Sequence, residues 1–198
     1  VASCKEGREL ETSITYILKK IQQYFTIITK MDCIQSTKAE GIMRLRALAK
    51  INLGLDIVGK RPDGYHEVRM IMQTIQMYDV LEIEKKEEPG ITLTTNIPYV
   101  PTDERNLVYK AAKILMDEFH VKEGLSMKLD KFIPVAAGMA GGSSDAAAAF
   151  VGVNRLFGLG LSEEALMERA VLVGADVPYC VMRGTVLAEG IGEILTPL

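Results

Sequence analysis

The sequence is poor in the residues that staple or metallate small proteins. Its three cysteines, Cys4, Cys33 and Cys180, follow neither a zinc-site spacing nor a disulfide framework. That usage favours a reducing, cytoplasmic compartment. With His66 and His120 as its two histidines, a histidine-rich metal centre is not expected either. Long apolar runs are missing, and none approaches the roughly 20 residues of a membrane span. The first residues lack the charged, apolar and cleavage regions of a signal peptide. Positive charge is not in excess. A net charge of −3 gives no electrostatic case for nucleic acid or an anionic membrane surface, although a local cationic pocket stays open.

What is present describes a soluble globular protein. The chain of 198 residues can bury one substantial core with a small appendage, and 48% hydrophobic with 25% charged residues suits that reading. Residues 1–42 carry helix-compatible patterning through Leu10, Ile14, Ile17, Leu18, Ile21 and Phe25. At Met43 a period-two segment begins, read as a strand to Leu53. Met43 is a candidate natural start, which makes 1–42 an N-terminal extension.

Further on, 80–83 and 91–95 read as strands around a turn at Pro89-Gly90, and 106–119 keeps a helical period through Val108, Ala112, Leu115 and Phe119. Residues 125–129 alternate again. Helices are expected at about 144–157 and 163–173, the second capped by Ser162, with Gly158, Gly160 and Gly174 as punctuation. Short strands at 186–188 and 193–195 close the pattern. The order is mixed rather than a regular βαβ series, so the fold class is α+β.

The most informative segment is Pro134-Val135-Ala136-Ala137-Gly138-Met139-Ala140-Gly141-Gly142-Ser143-Ser144, which runs on through Asp145 into four alanines. Glycines let a phosphate approach the backbone, and the following helix aims its unpaired N–H groups and positive dipole end at the same place. Ser143 and Ser144 add hydroxyl donors, and Ser144 or Asp145 can cap the helix. A polyphosphate is the expected ligand. A Walker A loop is excluded because 134–150 contains no lysine, and a dinucleotide fingerprint fails because Ala136 stands where its first glycine belongs. The bland alternative is a flexible loop joined to an ordinary buried helix.

Three more segments are suggestive. Ala49-Lys50-Ile51-Asn52-Leu53 puts Lys50 and Asn52 on one face of a strand, though a strand-end lysine is ordinarily a solvated charge. Gly174-Ala175-Asp176-Val177-Pro178 puts a carboxylate where turn-forming aspartates are also common. Asp63-Gly64-Tyr65-His66-Glu67 is a plausible turn whose Tyr65 and His66 can stack on and hydrogen-bond a heterocycle.

In this order, these segments resemble the GHMP small-molecule kinases. The resemblance runs from Met43 to Leu198, about the N-terminal half of such a kinase, with Met139 where leucine is more usual. It implies an ATP-binding domain at 43–198 with a mixed sheet and helices on one side, of the kind also seen in ribosomal protein S5. The family's second domain is not represented after Leu198, so the expected cleft between two domains has one wall here and weak catalysis is expected of residues 1–198 alone. Asp63-Gly64-Tyr65-His66 favours the branch of the non-mevalonate isoprenoid pathway. The implied reaction is transfer of the ATP γ-phosphoryl group, with Mg2+, to the 2-hydroxyl of 4-diphosphocytidyl-2-C-methyl-D-erythritol. By resemblance, Asp176 accepts or orients the hydroxyl proton, and Lys50 keeps Asp176 ionised and stabilises developing charge. Residues 134–144 hold the ATP phosphates, Tyr65 and His66 engage cytosine, and Asn52 orients the substrate. Two alternatives stay open: a GHMP kinase for homoserine or mevalonate, and a non-catalytic nucleotide-binding fragment.

Overall fold

The computed structural model describes residues 34–37, 41–60, 64 and 66–198. The amphipathic pattern over 10–25, Asp63 and Tyr65 lie outside them. Seven strands form one sheet in the order β1 (Ile34–Thr37), β2 (Ile42–Lys60), β3 (His66–Lys86), β5 (Gly124–Asp130), β4 (Ile91–Thr95). On the same edge of β3 as β5, but nearer its start, β6 (Thr185–Glu189) pairs through Met70–Gln73 and in turn carries β7 (Ile194–Pro197). Every pairing is antiparallel except β4 with β5. The architecture is mixed α+β. Because β1 pairs with residues 42–45, the sheet continues upstream of Met43.

Alternation sets which face is covered. Leu45 and Ala47 of β2, Leu81 and Ile83 of β3, and Leu125, Met127 and Leu129 of β5 are buried on one face. The other face carries charge: Arg44 donates from Nε to Glu82 at 2.8 Å, and Lys128 pairs with Asp130 at 2.8 Å. Helices α1 (Leu107–Glu118) and α2 (Gly141–Leu156) contribute Val108, Ala111, Leu115, Phe150 and Val153 to the same core as the apolar strand face. The α2 alanines allow a close approach. A Cβ on Gly152 would stand 2.6 Å from Ile83 Cδ1, closer than real Cβ contacts come, and a tight 3.1 Å from Leu45 Cδ1. No described helix is long and apolar enough to cross a membrane.

Several local expectations match. Strand β4 has the expected bounds, and α1 and β5 differ from expectation by one residue at each end. Ser162 caps α3 (Glu163–Ala170) by accepting the Ala165 N–H at 3.2 Å. Other expectations change: β2 runs past Leu53 to Lys60, and β3 spans His66–Lys86 where only 80–83 was read as strand. Pro89-Gly90 does not close a hairpin, because β5 lies between β3 and β4. Helix α3 stops at Ala170, short of 173. Helix α2 begins at Gly141 rather than near Ser144, since Ala140 takes a left-handed conformation (φ 54°) as the N-cap; neither Ser144 nor Asp145 caps it. Residues 174–178, read as a turn, lead into helix α4 (Val177–Met182), because proline fits a helix's first turn.

Candidate functional site

A break in the β2–β3 ladder prepares the site. Leu48 lies opposite Tyr78 but Lys50 lies opposite Thr74, so three residues of β3 span what Ala49 spans in β2. Across this irregular stretch the buried positions change from odd-numbered (Leu45, Ala47, Asp79, Leu81) to even-numbered (Lys50, Met72, Thr74) residues. Before it, Leu45 and Ala47 face the helices; after it, Lys50 and Asn52 share the face of Thr74 and Met72. The Lys50 side chain is therefore buried, with 6% exposed. Its Nζ donates to Asn52 Oδ1 at 3.0 Å and stands 3.6 Å from Asp176 Oδ2.

Asp176 precedes α4 and its side chain caps nothing, leaving the carboxylate free to face Lys50. A buried knot holds α4 in place. Tyr179 Oη donates to the Gly184 carbonyl at 2.9 Å and lies 3.0 Å from Thr74 Oγ1, which accepts the Gly184 N–H at 3.1 Å. Burial keeps the Tyr179 phenol protonated far above the ordinary range. The same strand that offers Thr74 to Tyr179 pairs with Lys50, which fixes the Lys50–Asp176 distance.

The glycine loop docks on this frame. The Lys50 backbone N–H donates to the Met139 carbonyl at 3.1 Å. Ala136 (φ 61°), Gly138 (φ 73°) and Ala140 (φ 54°) all take left-handed conformations, which curl the loop into a concave run of backbone. Helix α2 then starts without a side-chain cap, so its first N–H groups suit an anion. Loop, Lys50, Asn52 and Asp176 line a single cleft of about 690 Å3, with Tyr99, Val100, Pro101 and Leu107 as an apolar rim. That volume is in the usual range for a small-molecule site.

Of the residues expected to hold phosphates, 134–143 line the cleft and Ser144 does not. Ser144 is buried and donates to the Leu48 carbonyl at 2.5 Å, tying α2 to β2. It also reaches Cys180 Sγ at 3.4 Å; burial pushes that thiol up to about 12, so it is inert. His66 is exposed at the far end of the β2–β3 ribbon, opposite Lys60. Eight residues of strand separate Lys60 from Asn52, on the order of 25 Å. His66 is thus not brought to the cleft.

Sequence reasoning missed the rim residues and a buried charge cluster under the loop: Lys131 lies 2.6 Å from both Asp79 Oδ2 and Asp145 Oδ2. One signal for Asp79 was there to read, since it keeps the period of Leu81 and Ile83. Among the described residues, no group of three or more histidine, cysteine or carboxylate side chains is placed to hold a metal ion.

Comparison with known proteins agrees with this fold. Residues 106–184 match the GHMP kinases N terminal domain. The fold is that of a GHMP kinase N-terminal domain. Over 157 residues, 79% of its length, it is 58% identical to the 4-diphosphocytidyl-2-C-methyl-D-erythritol kinase of Lachnoclostridium phytofermentans, covering 54% of that protein. A crystal structure of 4-(cytidine 5'-diphospho)-2C-methyl-D-erythritol kinase superposes with a TM-score of 0.69 at 35% identity, over 79% of this chain and 55% of that one. The homoserine kinase from Cytophaga hutchinsonii, at 19% identity, TM-score 0.62 and coverage of 83% and 53%, shares the fold. The chain spans about half the length of the curated relatives it matches.

Proposed function

We propose that this chain supplies the nucleotide-binding and phosphoryl-transferring wall of an ATP-dependent kinase of the cytoplasm. Its acceptor is the 2-hydroxyl of 4-diphosphocytidyl-2-C-methyl-D-erythritol, in the non-mevalonate isoprenoid pathway. The observation that carries the reading is the Lys50–Asp176 pair at 3.6 Å, in the same cleft as an uncapped helix start and a left-handed glycine loop.

The roles follow from the chemistry. Backbone N–H groups of 134–143 bind the polyphosphate, and the apolar rim at Tyr99, Pro101 and Leu107 takes the purine. The acceptor hydroxyl loses its proton to Asp176 as its oxygen bonds to the γ-phosphorus, the β–γ bridge breaks, and ADP leaves. Lys50 faces the charge that develops on the transferring group, and Asn52, hydrogen-bonded to Lys50, orients the acceptor. Bound together with ATP, Mg2+ would neutralise part of the polyphosphate charge. Tyr65 and His66 remain the proposed cytosine contacts, which requires the ribbon end to reach the acceptor.

The test is an ADP-release assay on this chain extended by the family's second half, offered diphosphocytidyl methylerythritol, homoserine and mevalonate in parallel. Turnover confined to the first acceptor supports the proposal. Preference for either of the others overturns the assigned substrate, and nucleotide binding without turnover on any acceptor overturns the kinase reading.

A further inference from the structure

Both ends of the phosphate loop are fastened to one buried point. Asp79 of β3 is fully buried on the helix-facing side. Its Oδ1 accepts the Phe132 N–H at 2.5 Å and the Ile133 N–H at 2.7 Å, while its Oδ2 takes Lys131 Nζ at 2.6 Å. Those are the residues that enter the loop. Lys131 Nζ also reaches Asp145 Oδ2 at 2.6 Å, on the first turns of α2 where the loop ends. The two ends touch as well, since a Cβ on Gly141 would lie 3.1 Å from Ile133 Cγ2 and 3.6 Å from Lys131 Nζ.

The partners are shared unequally. Asp79 accepts three hydrogen bonds, the surroundings of an ionised carboxylate. Asp145 accepts one, and its Oδ1 is buried with no partner. Two ionised carboxylates around one ammonium would leave a net negative charge directly under a site built for polyphosphate. A neutral acid at 145 leaves Lys131 matched to Asp79 alone and removes that repulsion.

We propose that Lys131 is the positioning residue of the phosphate loop, held between an ionised Asp79 and an Asp145 that works as a neutral acid. This rests on the loop being the nucleotide-phosphate site. The charged groups packed against Asp145 are Lys131 and Asp79; Lys50, Asp176 and Arg105 are the other charged groups of the cleft. Burial pushes the Asp145 carboxyl up to about 8, with Lys131 pulling it down and Asp79 pushing it up. Burial also works against the Lys131 charge, but Asp145 and Asp79 outweigh it and hold that lysine above its ordinary range.

A raised folded-state value means that the stabilising contribution is complete below the unfolded carboxyl's range and is lost as pH rises towards about 8. The stability of the wild-type chain therefore falls with pH relative to Asp145→Asn, which keeps the neutral shape. Amide hydrogen exchange and ADP titration from pH 6.5 to 9.5 test the whole arrangement on the 198-residue chain. Lys131→Met is expected to speed exchange at 134–143 at least about tenfold while 146–153 stays protected. The wild type is expected to lose ADP affinity by about tenfold between pH 7.5 and 9.5, a loss absent in Asp145→Asn but not mimicked by Asp145→Ala, which binds weakly throughout.

Asp145→Asn as impaired as Asp145→Ala, or Lys131→Met with unchanged loop exchange, overturns the proposal. If Lys131→Met does not fold, the Asn–Ala contrast decides. If the wild type binds no ADP at all, the nucleotide reading fails, while loop exchange and the pH profile of unfolding still decide the positioning role.

Discussion

Strands β2 and β3 run the length of the molecule, yet their two ends live under different physics. Around Leu45, Ala47, Leu81 and Ile83 they are packed under α2 at van der Waals distance. Beyond Asn52, β2 carries Leu53, Leu55, Ile57 and Val58 with half or more of their surface exposed, although Met70 and Met72 of β3 beside it are still buried. Lys50 and Asn52 sit at the border. The covered end fixes distances: knots at Tyr179–Thr74–Gly184 and at Asp79–Lys131–Asp145 leave the loop and the Lys50–Asp176 pair little freedom. The bare end fixes nothing. The proposed phosphoryl transfer would need positions held to fractions of an ångström, whereas grasping the far part of the proposed acceptor would tolerate adjustment. The comparison thus separates a rigid chemical end from an adaptable end bearing His66.

Mutations across the border should show that separation, and the largest effects belong to the chemistry. In a chain completed by the family's second half, Asp176→Asn and Lys50→Ala are each expected to lower turnover about 10²- to 10⁴-fold while leaving the fold intact. Steady-state kinetics beside calorimetry checks both halves of that statement. Next comes the core of the covered end. Phe150→Ala is expected to cost about 3–5 kcal/mol in urea unfolding, since Phe150 is fully buried between α2 and the sheet. A smaller loss follows at the cleft rim. Asn106 accepts the Val108 N–H at 2.9 Å as the cap of α1 and donates to the Pro101 carbonyl at 2.7 Å, so Asn106→Ala should cost about 1 kcal/mol. At the bare end, Ile57→Ser should change stability by less than about 0.5 kcal/mol. A core-sized loss there would show that the ribbon is packed after all.

Much of this was legible beforehand because it rests on local chemistry. The alanine-rich run after three glycines, the alternation of 125–129 and the Ser162 cap each state their structure in a few neighbouring residues. The Lys50–Asp176 proximity was legible through the order of the motifs in the GHMP pattern, since no local rule joins residues 126 apart in the chain. What stayed hidden depends on long-range partners. The bulge opposite Ala49 has no sequence mark in β2, and the middle of β3, with Gln73, Thr74 and Gln76, breaks the alternation that identifies a strand. Asp145 was read as a candidate helix cap and Asp79 and Lys131 were not singled out, since only the fold brings the three together out of water. Ser144 was read as a phosphate donor from its neighbours, yet its hydroxyl is spent on the Leu48 carbonyl of another strand. Pro178 hid α4 because proline marks a turn as often as a first helical turn.

The central claim is that the backbone of 134–143 receives the nucleotide's phosphates, and Gly142 offers the most direct measurement. It is exposed in the cleft, and a Cβ there would meet only Leu107 Cδ1 at an ordinary 3.7 Å, so valine is accommodated by the protein but projects where the phosphates belong. ADP titration calorimetry on the 198-residue chain, with Ile57→Ser as the control, is expected to show binding in wild type and control and none in Gly142→Val. Undiminished ADP affinity in a folded Gly142→Val would contradict the assignment of the loop.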